Sequence, residues 1–430
     1  MPSPPPITQF PILTLPTQQV TQISPHVRLH AINTGTGAAN LFSLVWNYGP
    51  RSCGGAYAPN LVVPMLMQGT KKLNADEIVD RFDSLGAFHS QSIHTAHTTF
   101  DFVSLNHFTP SLLDITFQLL TEPVFPEDRF QAILRKELAR YDLAMSRTRT
   151  QASNLLTKLL VGKDHPYLLP PTRELIENTT VEDVKSAWVK GFGSSQVDIF
   201  VSGLFTPSLE EAVTTFAERL NSFLPAASYT VSKETRFLTQ ENTEASSKIH
   251  HISCPHAAQS SVAMAIPIPV GREHRDYIPL RMAVIALGGY FGSRLNTVIR
   301  EQEGLTYGIT ASLVGTPEGT YIDINAECDT AQTGRVIELV KQEINRLTST
   351  EMDADEFRRL RSHYATSLAA TKETFKTIGD YYRSLITAAI PSDYFDRQQQ
   401  VLHSITTEKL RRTASLYMLP EKAIIVVAGN

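Results

Sequence analysis

The chain has 430 residues, 42% of them hydrophobic and 19% charged, which is too long for one hydrophobic core and too apolar for extended disorder, so two or more globular domains are expected. Thirty-nine Lys and Arg against 43 Asp and Glu give a formal net charge of -4, which excludes the bulk basic field of a nucleic-acid or anionic-membrane binder. Cys53, Cys254 and Cys328 are too few and too scattered for a disulfide framework; they read as buried reduced thiols in a cytoplasmic protein.

In chain order, residues 1–18 form an extended, Pro-rich lead-in. No basic residue precedes Arg28, so the charged start and apolar run of a signal peptide are missing. No stretch reaches the ~20 apolar residues that span a bilayer. Residues 19–223 then mix strand patterns such as "FSLVWNYG" and "TFDFVSL" with an apolar helix pattern, "LVVPMLM", and a long one, "PEDRFQAILRKELARYDLAM". The polar stretch 224–248 has no sustained periodicity and reads as a linker. Residues 249–430 repeat the mixture, with "TYIDINAEC" as a strand and "DADEFRRLRSHYATSLAA" as a helix.

The two halves also echo each other in detail. "TVEDVKSAWVKGFGSSQVDIFVSG" ends at Gly203 and "TTEKLRRTASLYMLPEKAIIVVAG" at Gly429, so that at an offset of 226 Thr180 meets Thr406 and Glu182 meets Glu408. Each copy reads as a Thr-capped helix followed by an apolar strand closed by Gly. Phe130 and Phe357, on the two long helical patterns, stand 227 apart. The fold expected is α+β: two homologous domains, 19–223 and 249–430, each a mostly antiparallel sheet packed with helices and related by internal duplication.

Three segments carry the chemistry. "GGAYAPNLVVPMLMQGTKKL", "DHPYLLPPTRELIENTTVEDV" and "GGYFGSRLNTVIREQEGLTYGITASL" together resemble the pitrilysin/insulinase metallopeptidases, whose zinc helix carries H-x-x-E-H and whose second half carries an Arg-Tyr pair. Aligned through "QGT", the zinc-helix positions are Asn60, Val63 and Pro64. A zinc peptidase needs two imidazoles one helical turn apart and a carboxylate to take a proton from zinc-bound water. Asn60 is a poor ligand, Val63 accepts no proton and Pro64 has no donor atom, so no metal site is expected here. Glu137 stands at the position the resemblance gives to the third ligand; read by itself it is a solvated helix carboxylate near Arg135 and Lys136. Arg300 and Tyr307 match the Arg-Tyr pair, which the resemblance implies binds the peptide carbonyl. Taken alone, that spacing reads as an Arg300–Glu303 ion pair beside a core Tyr.

"GAFHSQSIHTAHTTFDF" offers His89, His94 and His97; as one strand it would put His89 and His97 on one face and His94 on the other. The resemblance implies a zinc-less, peptide-binding subunit of a two-chain metallopeptidase, inactive alone. It would bind no cofactor itself, and the zinc would sit in a homologous partner subunit. The alternatives are a non-enzymatic, homodimeric peptide-binding or scaffold protein with a vestigial site, and an autonomous hydrolase built on the histidine-rich strand.

Overall fold

A computed structural model describes residues 10–165, 167–224 and 248–430; the first nine residues of the lead-in and residues 225–247 of the expected linker lie outside the described residues. Strands β1 (Gln18–Gln22), β2 (Val27–Asn33), β3 (Ala39–Trp46), β4 (Phe88–Ile93), β5 (Thr98–Leu105) and β6 (Val197–Gly203) form one sheet in the order β1-β2-β6-β3-β5-β4. Strands β7 (Ile249–Ser253), β8 (Ser260–Ile268), β9 (Thr306–Thr316), β10 (Gly319–Cys328) and β11 (Ile424–Gly429) form another in the order β7-β11-β8-β10-β9. Leaving β1 aside, the two orders are the same. In each, the last strand of the half is inserted parallel to the first and antiparallel to the second. The remaining pairings are antiparallel, as the α+β expectation required.

The first half carries helices α1 (Pro59–Leu66), α2 (Ala75–Ser84), α3 (Thr109–Thr121), α4 (Glu127–Met145), α5 (Thr148–Val161), α6 (Arg173–Glu177), α7 (Val181–Ser186) and α8 (Pro207–Phe223). The second carries α9 (Tyr277–Gly288), α10 (Thr333–Ser349), α11 (Ala354–Thr371), α12 (Phe375–Thr387), α13 (Tyr394–Ser404) and α14 (Thr407–Tyr417). The repeated Thr signals work as capping groups: the Thr180 side chain accepts from the Asp183 N–H at the start of α7, and Thr406 from the Lys409 N–H at the start of α14. One face of each sheet packs a large core. Phe42, Leu44, Phe100 and Phe102 meet Leu61, Val62 and Phe216 in the first half, and Met264, Ile266, Ile322 and Ile324 meet the helix side chains Leu280, Val340 and Leu410 in the second.

The other faces are covered by exchange. Leu156 and Leu160 of α5, a first-half helix, pack on Ala263 and Ala265 of β8 and on Ile424 and Val426 of β11 in the second-half sheet. Ile378 of α12, a second-half helix, packs on Ile32, Val45 and Phe200 of the first-half sheet. Each fully buried Leu or Ile in these contacts contributes roughly 1.5–3 kcal/mol. The exchange also explains why β3 and β6 are buried along nearly their whole length: both faces of that sheet are covered, and the strands are accordingly apolar on both.

The two exchanged contacts differ in polarity. Under α12, the Arg383 guanidinium donates to Asp101 and Ser43 of the sheet and to Asp380 on its own helix, whereas the contacts under α5 are chiefly apolar. The lead-in adds a further tie. The Leu13 N–H and C=O both bond the side-chain amide of Gln399 on α13, and the Tyr382 hydroxyl of α12 donates to the Pro16 carbonyl, before β1 joins the first-half sheet.

Two expectations are corrected. Of the three thiols, Cys328 is buried but Cys53 and Cys254 are only half-buried, though all three are free. The histidine-rich segment is not one strand: β4 stops at Ile93, and His94 to His97 form the turn into β5, closed by the bond from the His94 N–H to the His97 carbonyl. Strand alternation therefore does not relate His97 to His89. Among the described residues, no helix is long and apolar enough to cross a membrane.

Candidate functional site

Pro59 opens α1, where its missing N–H costs nothing. Leu61, Val62, Val63, Met65 and Leu66 anchor the helix in the core. Of the three positions aligned with the zinc motif, Val63 is buried, Pro64 lies inside the helix, and the Asn60 side-chain amide turns back to donate to the Tyr57 carbonyl at 3.0 Å. Glu137, on α4, is the carboxylate that reaches this place. It is not the solvated carboxylate beside Arg135 and Lys136 that its local sequence suggests: its side chain is 15% exposed and accepts from the Tyr57 hydroxyl at 3.1 Å and from Arg140 at 3.1 Å. Burial, followed by the charge of Glu137 and the hydrogen bond to it, pushes the Tyr57 phenol above its ordinary pKa, so it stays a neutral donor.

This donor set does not fit zinc. The carboxylate of Glu137 is already bonded by a phenol and a guanidinium, and the three aligned positions, Asn60, Val63 and Pro64, offer no imidazole, thiolate or carboxylate. Among the described residues, no three His, Cys, Asp or Glu side chains gather as a metal site. An open cleft of about 580 Å3 begins at Tyr57 and runs past Cys53, Asp183 and Lys190. Tyr57 was not singled out from the sequence, because an aromatic three residues before Asn60 carries no ligand pattern.

In the second half, Arg300 lies in a π-helical turn, Asn296–Gln302, that ends before Gly304, whose φ of 65° lets the chain reverse. Tyr307 is the second residue of the edge strand β9. The local sequence suggested an Arg300–Glu303 pair, but Glu303 bonds Arg335 at 3.0 Å. The Arg300 guanidinium lies 5.0 Å from the centroid of the Phe291 ring, a cation–π contact. Tyr307 is 88% exposed rather than a core residue. It lines a cavity of about 310 Å3 with Arg149, Ser261, Thr310, Asn325 and Glu327. Near this cavity, burial pushes the Asp323 carboxyl up, against the hydrogen bond from Asn325 and the charge of Arg149. The structure thus brings Tyr307 to a hollow of mixed lining on the second-half sheet, where Ala152, Val262, Ala263 and Ala326 stand among the polar residues, with Arg300 held on Phe291; Arg300 is not among the residues lining that hollow.

The histidines of the first half are placed by packing. His89 stands edge-on to Phe82 and Phe100, and burial lowers its pKa. Burial also lowers that of His94, and pushes that of His97 down to about 4.

Comparison with known proteins adds the family. The sequence profile described as "Insulinase (Peptidase family M16)" matches residues 58–160, which hold α1 and Glu137, and "Peptidase M16 inactive domain" matches residues 178–364, which hold Arg300 and Tyr307. "Non-peptidase homolog YmxG" of Helicobacter pylori is 23% identical over 309 residues, 68% of this chain and 67% of that protein. Among solved structures, a peptidase M16 inactive domain from Pseudomonas fluorescens superposes with a TM-score of 0.81 at 20% identity, covering 96% of this chain and 98% of its own. A protease from Helicobacter pylori gives 0.83 at 14%, covering 97% and 100%. The periplasmic protease PqqL of Escherichia coli gives 0.73 at 14%, where all of this chain spans 48% of that one. With both halves matched by its profiles and the duplicated α+β architecture in place, the chain belongs to the insulinase family of peptidases, M16.

Proposed function

We propose that this chain is the zinc-less, peptide-binding subunit of a two-chain metallopeptidase, which brings Arg300 and Tyr307 to a site shared with a zinc-bearing homologous partner. The observation that carries this reading is the contrast between the halves. At the place aligned with the zinc helix Glu137 is already bonded by Tyr57, while Tyr307 is left 88% exposed and lines a cavity of mixed polar and apolar residues. A large aromatic that contributes nothing to its own core is suited to contact with something else. A phenol and a guanidinium suit the charge that develops on a peptide carbonyl during hydrolysis. Zinc and general base would come from the partner, in the cytoplasm.

The second reading is a non-enzymatic, self-associating peptide-binding protein, and it is favoured by the likeness to a protein described as a non-peptidase homologue. One experiment separates them. This chain is mixed with a zinc-bearing M16 relative from the same cell, and hydrolysis of an unstructured fluorogenic peptide is followed. Activity that needs both chains supports the shared site. If the mixture is no more active than the relative alone, and this chain sediments as a homodimer, the second reading takes its place.

A further inference from the structure

Phe291 stands between α9 and the π-helical turn that carries Arg300, and it belongs to none of the hydrophobic cores. It is 64% exposed, yet the chain beneath it is fixed. The neighbouring Tyr290 ring stacks on the imidazole of His363 in α11 at 4.8 Å. Arg294 donates two hydrogen bonds to Glu356, at 2.6 and 2.9 Å, and both side chains are largely buried. Asn296, 7% exposed, donates through its side-chain amide to the Tyr290 carbonyl at 3.2 Å and to the Ile309 carbonyl of β9 at 3.1 Å. One amide thus ties the loop that carries Phe291 to the strand that carries Tyr307.

The ring on this fixed loop is what holds Arg300. Glu303 is bonded to Arg335, and among the described residues no carboxylate pairs with Arg300. Its guanidinium lies 5.0 Å from the Phe291 ring centroid, where the quadrupole of the ring attracts a cation. A carboxylate in that place would neutralise the charge and occupy N–H groups of the fork. A ring face restrains the side chain and leaves its charge standing. An unrestrained Arg loses rotamer freedom when it binds, whereas a guanidinium already held in place is preorganised for a carbonyl that gains negative charge.

We propose that Phe291 is a positioning residue, whose ring holds the Arg300 guanidinium, charged and with its N–H groups unoccupied, ready to meet the peptide carbonyl. This inference rests on the shared-site reading above and adds a residue to it. Phe291 touches no reacting atom in this role and acts only through Arg300. Tyr290, Arg294 and Asn296 hold the loop, and the loop holds the ring.

The test mixes the full chain with a zinc-bearing M16 relative from the same cell and follows an unstructured fluorogenic peptide. Phe291→Leu is expected to lower kcat/KM about fivefold, the scale of an exposed cation–π contact, with kcat falling and KM rising together as for Arg300→Ala. Phe291→Trp, whose ring attracts cations at least as well, should bring the values back to within about twofold of the natural ones. On an Arg300→Ala background Phe291→Leu should remove nothing more, because the residue acts through the guanidinium. In the free chain, the δ-methylene proton resonances of Arg300 are expected upfield of ordinary Arg positions through the ring current, and they should return in Phe291→Leu. An active mixture in which Phe291→Leu costs nothing overturns the proposal. So does an equal loss in the Leu and Trp variants, a loss that persists in full on the Arg300→Ala background, or the absence of a ring-current shift. A natural mixture no more active than the relative alone removes the shared-site reading and this inference with it, so the two failures are told apart.

Discussion

The Tyr57 hydroxyl donates to Glu137 Oε2 at 3.1 Å, and this bond joins the segment ahead of α1 to α4 at the place aligned with a zinc site. Restoring the motif with Asn60→His, Val63→Glu and Pro64→His therefore leaves the third carboxylate occupied. The triple variant is expected to bind zinc weakly, and adding Tyr57→Phe should tighten it at least tenfold by freeing Glu137, the scale on which groups around a metal ligand act. Zinc titration with a competing chromophoric chelator measures both; equal affinities would mean that Tyr57 does not compete for the carboxylate.

Tyr307→Phe tests the other half. In the reconstituted two-chain enzyme it is expected to lower kcat by about 10²-fold while KM changes little, because a donor aimed at a developing oxyanion acts mainly in the transition state. Arg300→Ala should lower kcat and raise KM together, since a cation also orients the ground-state carbonyl. Steady-state kinetics on one peptide decide it, and unchanged values for both variants would make the pair structural.

Arg383 holds α12 to the first-half sheet through Asp101, and the two side chains are 15% and 11% exposed. Arg383→Met leaves Asp101 buried without its cation, so urea unfolding is expected to show a loss of about 3–5 kcal/mol. The double variant Arg383→Met/Asp101→Asn should recover part of that loss. A single variant as stable as the natural chain would show that the pair holds nothing.

Acid is expected to loosen the same region in two stages. The folded pKa of His97 is about 4 and the unfolded one about 6.5. Between these values the unfolded chain binds a proton that the native chain refuses, so stability is flat above about pH 6.5 and falls as pH drops toward about 4. Allowing for the partial exposure of His97, the loss is roughly 2 kcal/mol. Asp198 acts lower: burial pushes its carboxyl up, but the hydrogen bonds from His30 and Arg28 and the charge of Arg28 outweigh that and hold it below its usual range. Its contribution is present above the unfolded value and is lost on further acidification. Thermal unfolding of the natural chain and of His97→Gln across this range checks the first stage, where the variant's slope should be shallower.

How far the sequence could be read follows from which forces are local. Thr180 and Thr406 announced their helices because an N-cap is decided within four residues. "VDIFVSG" and "AIIVVAG" announced their strands because a central strand is apolar on both faces. The four-residue turn at His94 was missed, since Thr and His there carry no Gly or Pro punctuation and the polar pattern runs on as if it were one strand. The partners of Glu137 and Glu303 were missed for a different reason. Tyr57 and Arg335 lie 80 and 32 residues away, and a contact across such a separation leaves no periodicity. The exchange of α5 and α12 was invisible too, because an amphipathic helix states that it has a partner sheet and not which one.

That exchange has a consequence for how the protein is made. The last strand of the first-half sheet, β6, ends at Gly203, but the helix that covers its second face begins at Phe375. At synthesis rates of roughly 5–20 residues per second, Ile32, Val45 and Phe200 wait on the order of ten seconds or more beside the ribosome for the side chains that will hide them. The newborn first half is thus a client for whatever shields apolar surface in the cell. Gene fragments ending near the middle of the chain should be aggregation-prone, and they should be rescued by co-expressing the missing half rather than by lowering the temperature alone.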